Sequence, residues 1–160
     1  MKKLLKYFWL IGVISLFMTP ANVLSLDNLS SLQQPSGFRG IDWGSSKDNH
    51  SYLFAMFDNV DGFEVYNREC EKQTLGAAKL SEVTYHFYHD KFYQVSITLN
   101  SDSDHQPLLD ALIEAYGAPE KEPDLYIWGN DTVVIRLSPE GVSISYLPIL
   151  NEINQKHNNA

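Results

Sequence analysis

The sequence predicts an α+β domain in which an antiparallel sheet of about six strands carries one or two helices on one face. Three patterns point to it. Apolar and polar residues alternate from Glu82 to Leu99; Leu108, Leu109, Leu112, Ile113 and Tyr116 recur at helical spacing; and two turn signals divide residues 125–146 into three short apolar runs. Short turns between consecutive strands make the sheet antiparallel and place the helices on one side of it.

The first residues are read as an export signal. Lys2, Lys3 and Lys6 precede an apolar run from Tyr7 to Met18, and small residues follow at positions suited to cleavage after Ser25, with Ala21 as the second choice. The run is short of the roughly 20 apolar residues that a membrane span needs. An uncleaved anchor is the alternative. No cysteine lies near the end of the run, so a lipid attachment thiol is missing there, and no stable membrane anchor is expected once the signal is cut. Leu26 to Gly37, rich in Ser, Gln and Asn, is read as a flexible linker, residues 38–150 as one domain, and the Asn-rich residues 151–160 as a disordered tail.

Within the domain, Ser45-Ser46-Lys47-Asp48 reads as the cap of a short helix carrying Leu53, Met56 and Phe57. Gly62 to Cys70 reads as a strand with Phe63 and Val65 inward. In the next hairpin, pairing Phe87 with Tyr93, Tyr85 with Val95 and Val83 with Ile97 puts the large apolar side chains on one face. That register leaves His89-Asp90-Lys91 as a three-residue loop, with Lys91 left-handed. Asp104 is the expected N-cap of the following helix because it places Pro107 inside the first turn, where a missing N–H costs nothing; Gly117 and Pro119 end the helix. Asn130-Asp131 then turns the chain so that Trp128 meets Val133 and Tyr126 meets Ile135, and Ser138-Pro139-Glu140-Gly141 returns it as Val142, Ile144 and Tyr146. The resulting order, helix then three strands twice over, suggests a tandem repeat.

Charge restricts the partners. The chain holds 12 Lys and Arg against 20 Asp and Glu, a formal charge of -8, and cleavage after Ser25 would make it -11. With no basic cluster after residue 6, nucleic acid is excluded as a partner. Cys70, the single cysteine, is read as a small buried hydrophobe in an oxidising compartment.

The candidate chemistry is thin. His86 and His89 lie three apart on a strand and face opposite ways, so they do not share a metal; His50 and His105 have no evident partner. Asn100, Asp102 and Asp104 begin like a calcium loop, but Gln106 and Ala111 stand where Gly and Glu are needed, and the acids are instead read as favoured by the helix dipole. Asp58 to Gly62 reads as a turn. No nucleophile elbow, phosphate loop, zinc-protease helix or dinucleotide fingerprint is present, so no catalytic, metal or cofactor residue is assigned. The polar face of the hairpin, Thr84, His86, Tyr88, Phe92 and Gln94, is a mixture of hydroxyls and aromatics that reads first as a solvated sheet face and, as the alternative, as an interaction surface suited to protein or glycan contacts. The functional expectation is an exported, periplasmic or secreted, non-catalytic binding module with an envelope or secreted protein partner. A small hydrolase with an unrecognised site is the alternative.

Several short segments carry a resemblance. Gly37-Phe38-Arg39-Gly40-Ile41-Asp42-Trp43-Gly44, Leu75-Gly76-Ala77 with Tyr85-His86-Phe87-Tyr88 and Lys91-Phe92-Tyr93, and Tyr116-Gly117-Ala118-Pro119 before Tyr126-Ile127-Trp128 resemble a group of small exported bacterial proteins of unassigned function. The resemblance spans most of residues 37–147 and implies export but no activity. The Gly-x-Pro after a helix, followed by a meander, also resembles the small outer-membrane assembly lipoproteins and the tandem-repeat β-lactamase inhibitor protein, which implies a fold only.

Overall fold

Tyr85 faces Val95 and Val83 faces Ile97 in the computed structural model, as the alternation requires. The structure describes residues 36–57, 59–129 and 131–158, so the export signal and nearly all of the linker lie outside the described residues.

The chain begins with a small two-stranded hairpin, β1 (Gly37–Phe38) and β2 (Ile41–Asp42), which brings Phe38 and Ile41 into the core. Gly37, expected in the linker, is therefore structured. Ser46 then caps a single 3-10 turn, Lys47–Asn49, in place of the expected short helix, and Leu53–Ala55 is strand β3. There follow β4 (Phe63–Arg68), β5 (Thr74–Leu75), β6 (Ala78–Tyr88), β7 (Lys91–Leu99) and helix α1 (His105–Tyr116). Strands β8 (Glu120–Glu122), β9 (Leu125–Gly129), β10 (Val133–Ser138) and β11 (Gly141–Tyr146) form a meander that leads into helix α2 (Leu147–Asn158).

Among the described residues nine strands, against about six expected, make one antiparallel sheet in the order β3-β4-β6-β7-β11-β10-β9-β8, with β5 paired to the start of β6. Its two halves meet where β7 pairs with β11. Ser138 pairs with Gly141 across the expected turn, and a side chain is impossible at Gly141: a Cβ there would lie 2.0 Å from the Ile97 carbonyl oxygen.

The first face carries the main core. Val83, Tyr85, Phe87, Phe92, Val95 and Ile97 pack with Leu108, Leu109, Ala111 and Leu112 of α1 and with Trp128, Ile135, Leu137, Val142 and Ile144 of the meander. Each such side chain contributes about 1.5–3 kcal/mol by leaving water. Helix α1 starts at the position expected from Pro107, although the Asp104 carboxylate does not cap it. That carboxylate accepts instead from the Lys79 N–H (2.8 Å) and the Ser101 hydroxyl (2.6 Å). At the other end Gly117 has φ +80°, and its carbonyl accepts from the Trp128 indole N–H at 2.8 Å.

The second face is covered too, which the sequence reading does not anticipate. Ile149 and Ile153 of α2 pack on Tyr88 and Tyr93, so residues 151–158 continue a helix where a tail was expected, and the two helices flank opposite faces. The helix-plus-three-strand repeat is absent for the same reasons: its first helix is one 3-10 turn, and α1 and α2 do not share a face.

Three register differences follow from turn geometry. The hairpin loop has two residues, His89 and Asp90, both left-handed (φ 45° and 65°), and Lys91 already pairs with Tyr88. A bulge at Tyr93 compensates, because Phe87 pairs with Phe92 while His86 pairs with Gln94. Phe92 thereby enters the main core and Tyr93 turns to the α2 side. In the meander a longer loop moves the register by two residues, so Trp128 meets Ile135 and Tyr126 meets Leu137 with the apolar face unchanged. On β4 the faces are the reverse of the expectation: Tyr66 packs on Phe87 in the core, while Phe63 joins Tyr88 under α2. Both sides of β4 are covered, so its alternation gave no direction.

Candidate interaction surfaces

The five residues expected to form a recognition surface are separated by the fold. Phe92 is wholly buried in the main core, placed there by the bulge, and Tyr88 is buried beneath α2, where its hydroxyl accepts from Lys156 Nζ at 3.1 Å. Thr84, His86 and Gln94 remain half-buried on the second face.

All three have side-chain partners on that face. Ser145 donates to Gln94 Oε1 (3.0 Å), Gln94 Nε2 donates to Ser96 Oγ (3.1 Å), and Thr84 Oγ1 lies 3.0 Å from His86 Nε2. Burial pushes the His86 imidazole down to about 4 and raises the nearby Tyr93 phenol. His86 is thus neutral at physiological pH. The Thr84 hydroxyl also lies 3.4 Å from the Ser96 carbonyl oxygen, a second acceptor for its proton.

A second hydroxyl–imidazole pair lies beside the 3-10 turn. His50, expected to be unpartnered, lies 3.3 Å from Ser45 Oγ and 2.9 Å from the Tyr52 hydroxyl. Ser45 gives its proton to the Asp42 carbonyl at 2.7 Å. In both pairs the hydroxyl has a backbone carbonyl within reach as well as the imidazole.

The ionic centre of the molecule is structural. Arg39 pairs with Glu71 and donates to the carbonyls of Lys72 (2.9 Å) and Thr74 (2.8 Å), while Tyr85 donates to the second Glu71 oxygen at 2.5 Å. Burial, followed by the Glu71 hydrogen bond, raises the Tyr85 phenol. Arg68 completes the cluster by donating to the Arg39 carbonyl (2.9 Å) and stacking over Tyr52. It clamps the β1–β2 hairpin to the sheet. Cys70 beside it is exposed, with φ +53°, and is not the buried hydrophobe expected.

Two surfaces are left open. The first is an edge. Phe54, Phe57 and Val60 are 49, 66 and 62% exposed on β3 and the segment after it, the first two within the uncharged run Leu53-Phe54-Ala55-Met56-Phe57. The bonds Met56 N–H to Val65 O and Glu69 N–H to Tyr52 O place Phe54 in a bonded pair with Asn67, so the N–H and C=O of Ala55 point away from β4. The opposite edge, β8, reads Glu-Lys-Glu and is fully exposed, the usual protection against unwanted pairing. Sequence reasoning missed β3 by assigning Leu53, Met56 and Phe57 to a helix stripe; an apolar run without charge was the available signal. The second surface is the part of the second face that α2 leaves bare, a basin of about 320 Å³ lined by Ser96, Thr98, Arg136, Ser138, Glu140 and Ser143 among others.

Among the described residues no group of three or more His, Cys, Asp or Glu side chains is placed to hold a metal ion, and no helix is long and apolar enough to cross a membrane. Fold and surfaces together define an antiparallel α+β domain with one guarded and one unguarded sheet edge. The family model described as TP0088 domain matches residues 59–158, more than half of the chain, and the chain belongs to that family. The match ends with α2 and begins after β3, so the unguarded edge strand precedes it. No curated protein and no solved structure matches the chain.

Proposed function

We propose that this protein is an exported, non-catalytic binding module that adds an extended segment of an envelope or secreted partner protein to the open side of β3. The carrying observation is the contrast between the two sheet edges: β8 is charged along its whole length, whereas β3 offers free backbone groups flanked by Phe54, Phe57 and Val60. Strand addition uses the backbone for affinity and alternate side-chain contacts for specificity. The lysine-led apolar segment at the N-terminus supports export. Against the hydrolase alternative, the Ser45 and Thr84 hydroxyls each have a backbone carbonyl competing with the imidazole for their proton.

Ala55→Pro tests the reading because it removes the outward N–H without touching the β3–β4 ladder. A partner that co-purifies with the native chain should be lost with Ala55→Pro and with Phe57→Lys, and retained with Lys121→Ala on β8. Retention by both β3 variants would reject the proposal.

A further inference from the structure

Arg136 is the third arginine of the chain and differs from the other two. Arg39 is spent on Glu71 and two carbonyls, and Arg68 on the Arg39 carbonyl and the Tyr52 ring. Arg136 is half-buried in an acidic protein, yet it makes no hydrogen bond or ion pair to the described residues. A guanidinium presents five donors in a planar fork, and holding it partly out of water with none of them matched is unfavourable.

Its surroundings specify what would match it. The register sets Arg136, Ser143, Ser96 and Thr84 side by side across β10, β11, β7 and β6, and the adjoining row sets Ser138, Gly141 and Thr98 beside them. Helix α2 covers the Tyr88 and Tyr93 end of this face and leaves these rows to line the basin of about 320 Å³. That volume is at the lower end of the range of small-ligand sites, about 300–1,000 Å³. Each hydroxyl both donates and accepts, which suits a ligand rich in hydroxyls of its own. Glu140, which also lines the basin, disfavours a dianion such as phosphate and offers an acceptor to a hydroxyl.

We propose that the bare half of the second face binds an acidic saccharide, with Arg136 taking the sugar carboxylate in a two-pronged hydrogen bond and Ser96, Thr98 and Ser143 taking ring hydroxyls. The site lies on the sheet face, apart from the β3 edge, and stands or falls separately from the partner reading above.

The test is a titration of the ¹⁵N-labelled full chain with D-glucuronate, D-glucose and acetate at matched ionic strength, followed by amide and arginine side-chain shifts. Saturable shifts at Ser96, Thr98, Ser143 and the Arg136 Nε are expected with glucuronate, with at least about tenfold weaker binding of glucose and of acetate. Arg136→Gln should weaken glucuronate binding by about tenfold or more, and Arg136→Lys, which keeps a point charge but loses the fork, should fall between. Each variant's amide dispersion reports whether it is folded. Binding of glucose as tight as glucuronate removes the role of Arg136; binding of acetate as tight removes that of the hydroxyls. Unsaturable shifts, or an unchanged Arg136→Gln titration, overturn the site.

Discussion

The Tyr85 hydroxyl donates to one carboxylate oxygen of Glu71 at 2.5 Å while Arg39 engages the other, so a buried aromatic of the central strand and a residue of the β1–β2 hairpin share a single acid. The Arg39 and Glu71 side chains are only 12 and 7% exposed. Breaking such a pair from one side leaves an uncompensated charge, which costs more than the intact pair contributes. Glu71→Ala should therefore destabilise by about 3 kcal/mol and Tyr85→Phe by about 2 kcal/mol, with the double variant costing less than the sum. Urea unfolding of the four proteins measures this; additive costs would show that the groups act independently.

The junction between the halves rests on Gly141. Because a Cβ would meet the Ile97 carbonyl at 2.0 Å, Gly141→Ala forces β11 away from β7. A loss of about 3 kcal/mol is expected. Exchange protection should fall first at the β7–β11 amides, and a variant as stable as the parent would contradict the observed strand pairing.

His86 makes stability depend on pH in a defined direction. Burial holds the folded-state imidazole at about 4, against an ordinary value of about 6.5, so the unfolded chain binds the extra proton between those values. This contribution is fully present above pH 6.5 and disappears as the pH falls toward 4, a loss of roughly 2–3 kcal/mol. His86→Asn should flatten that part of the stability profile. An imidazole resonance of His86 titrating near 6.5 would refute the burial.

The Tyr116 hydroxyl is buried without a partner among the described residues. Removing it relieves an unmatched polar group, so Tyr116→Phe should stabilise by about 1 kcal/mol. A lowered melting temperature would show that the hydroxyl is bonded in solution.

The parts of the fold legible from sequence are those with one covered face. In residues 82–87, 95–99 and 105–116 the buried side chains repeat at the period of their own element, and Tyr85, Val95, Leu108 and Leu112 could be placed by counting. Where both faces are covered, the period loses its meaning, as on β4, or breaks, as at Phe92-Tyr93, two adjacent aromatics buried on opposite sides. Helix α2 commits only Ile149 and Ile153 to the buried cluster and is polar from Asn154 onward, too weak a stripe to read as a helix from sequence. Without α2 the alternation makes Tyr88 look exposed, and without the bulge it makes Phe92 look exposed, whereas both are buried.

The partner reading is tested most directly by where the chain touches another protein in the native envelope. With p-benzoylphenylalanine at Phe57 in one strain and at Lys121 in another, irradiation should give an adduct with one heterologous protein from position 57 alone, abolished by Ala55→Pro. Adducts of equal yield from the β8 position, adducts with a second copy of this chain, or none from position 57 would contradict a partner strand on β3.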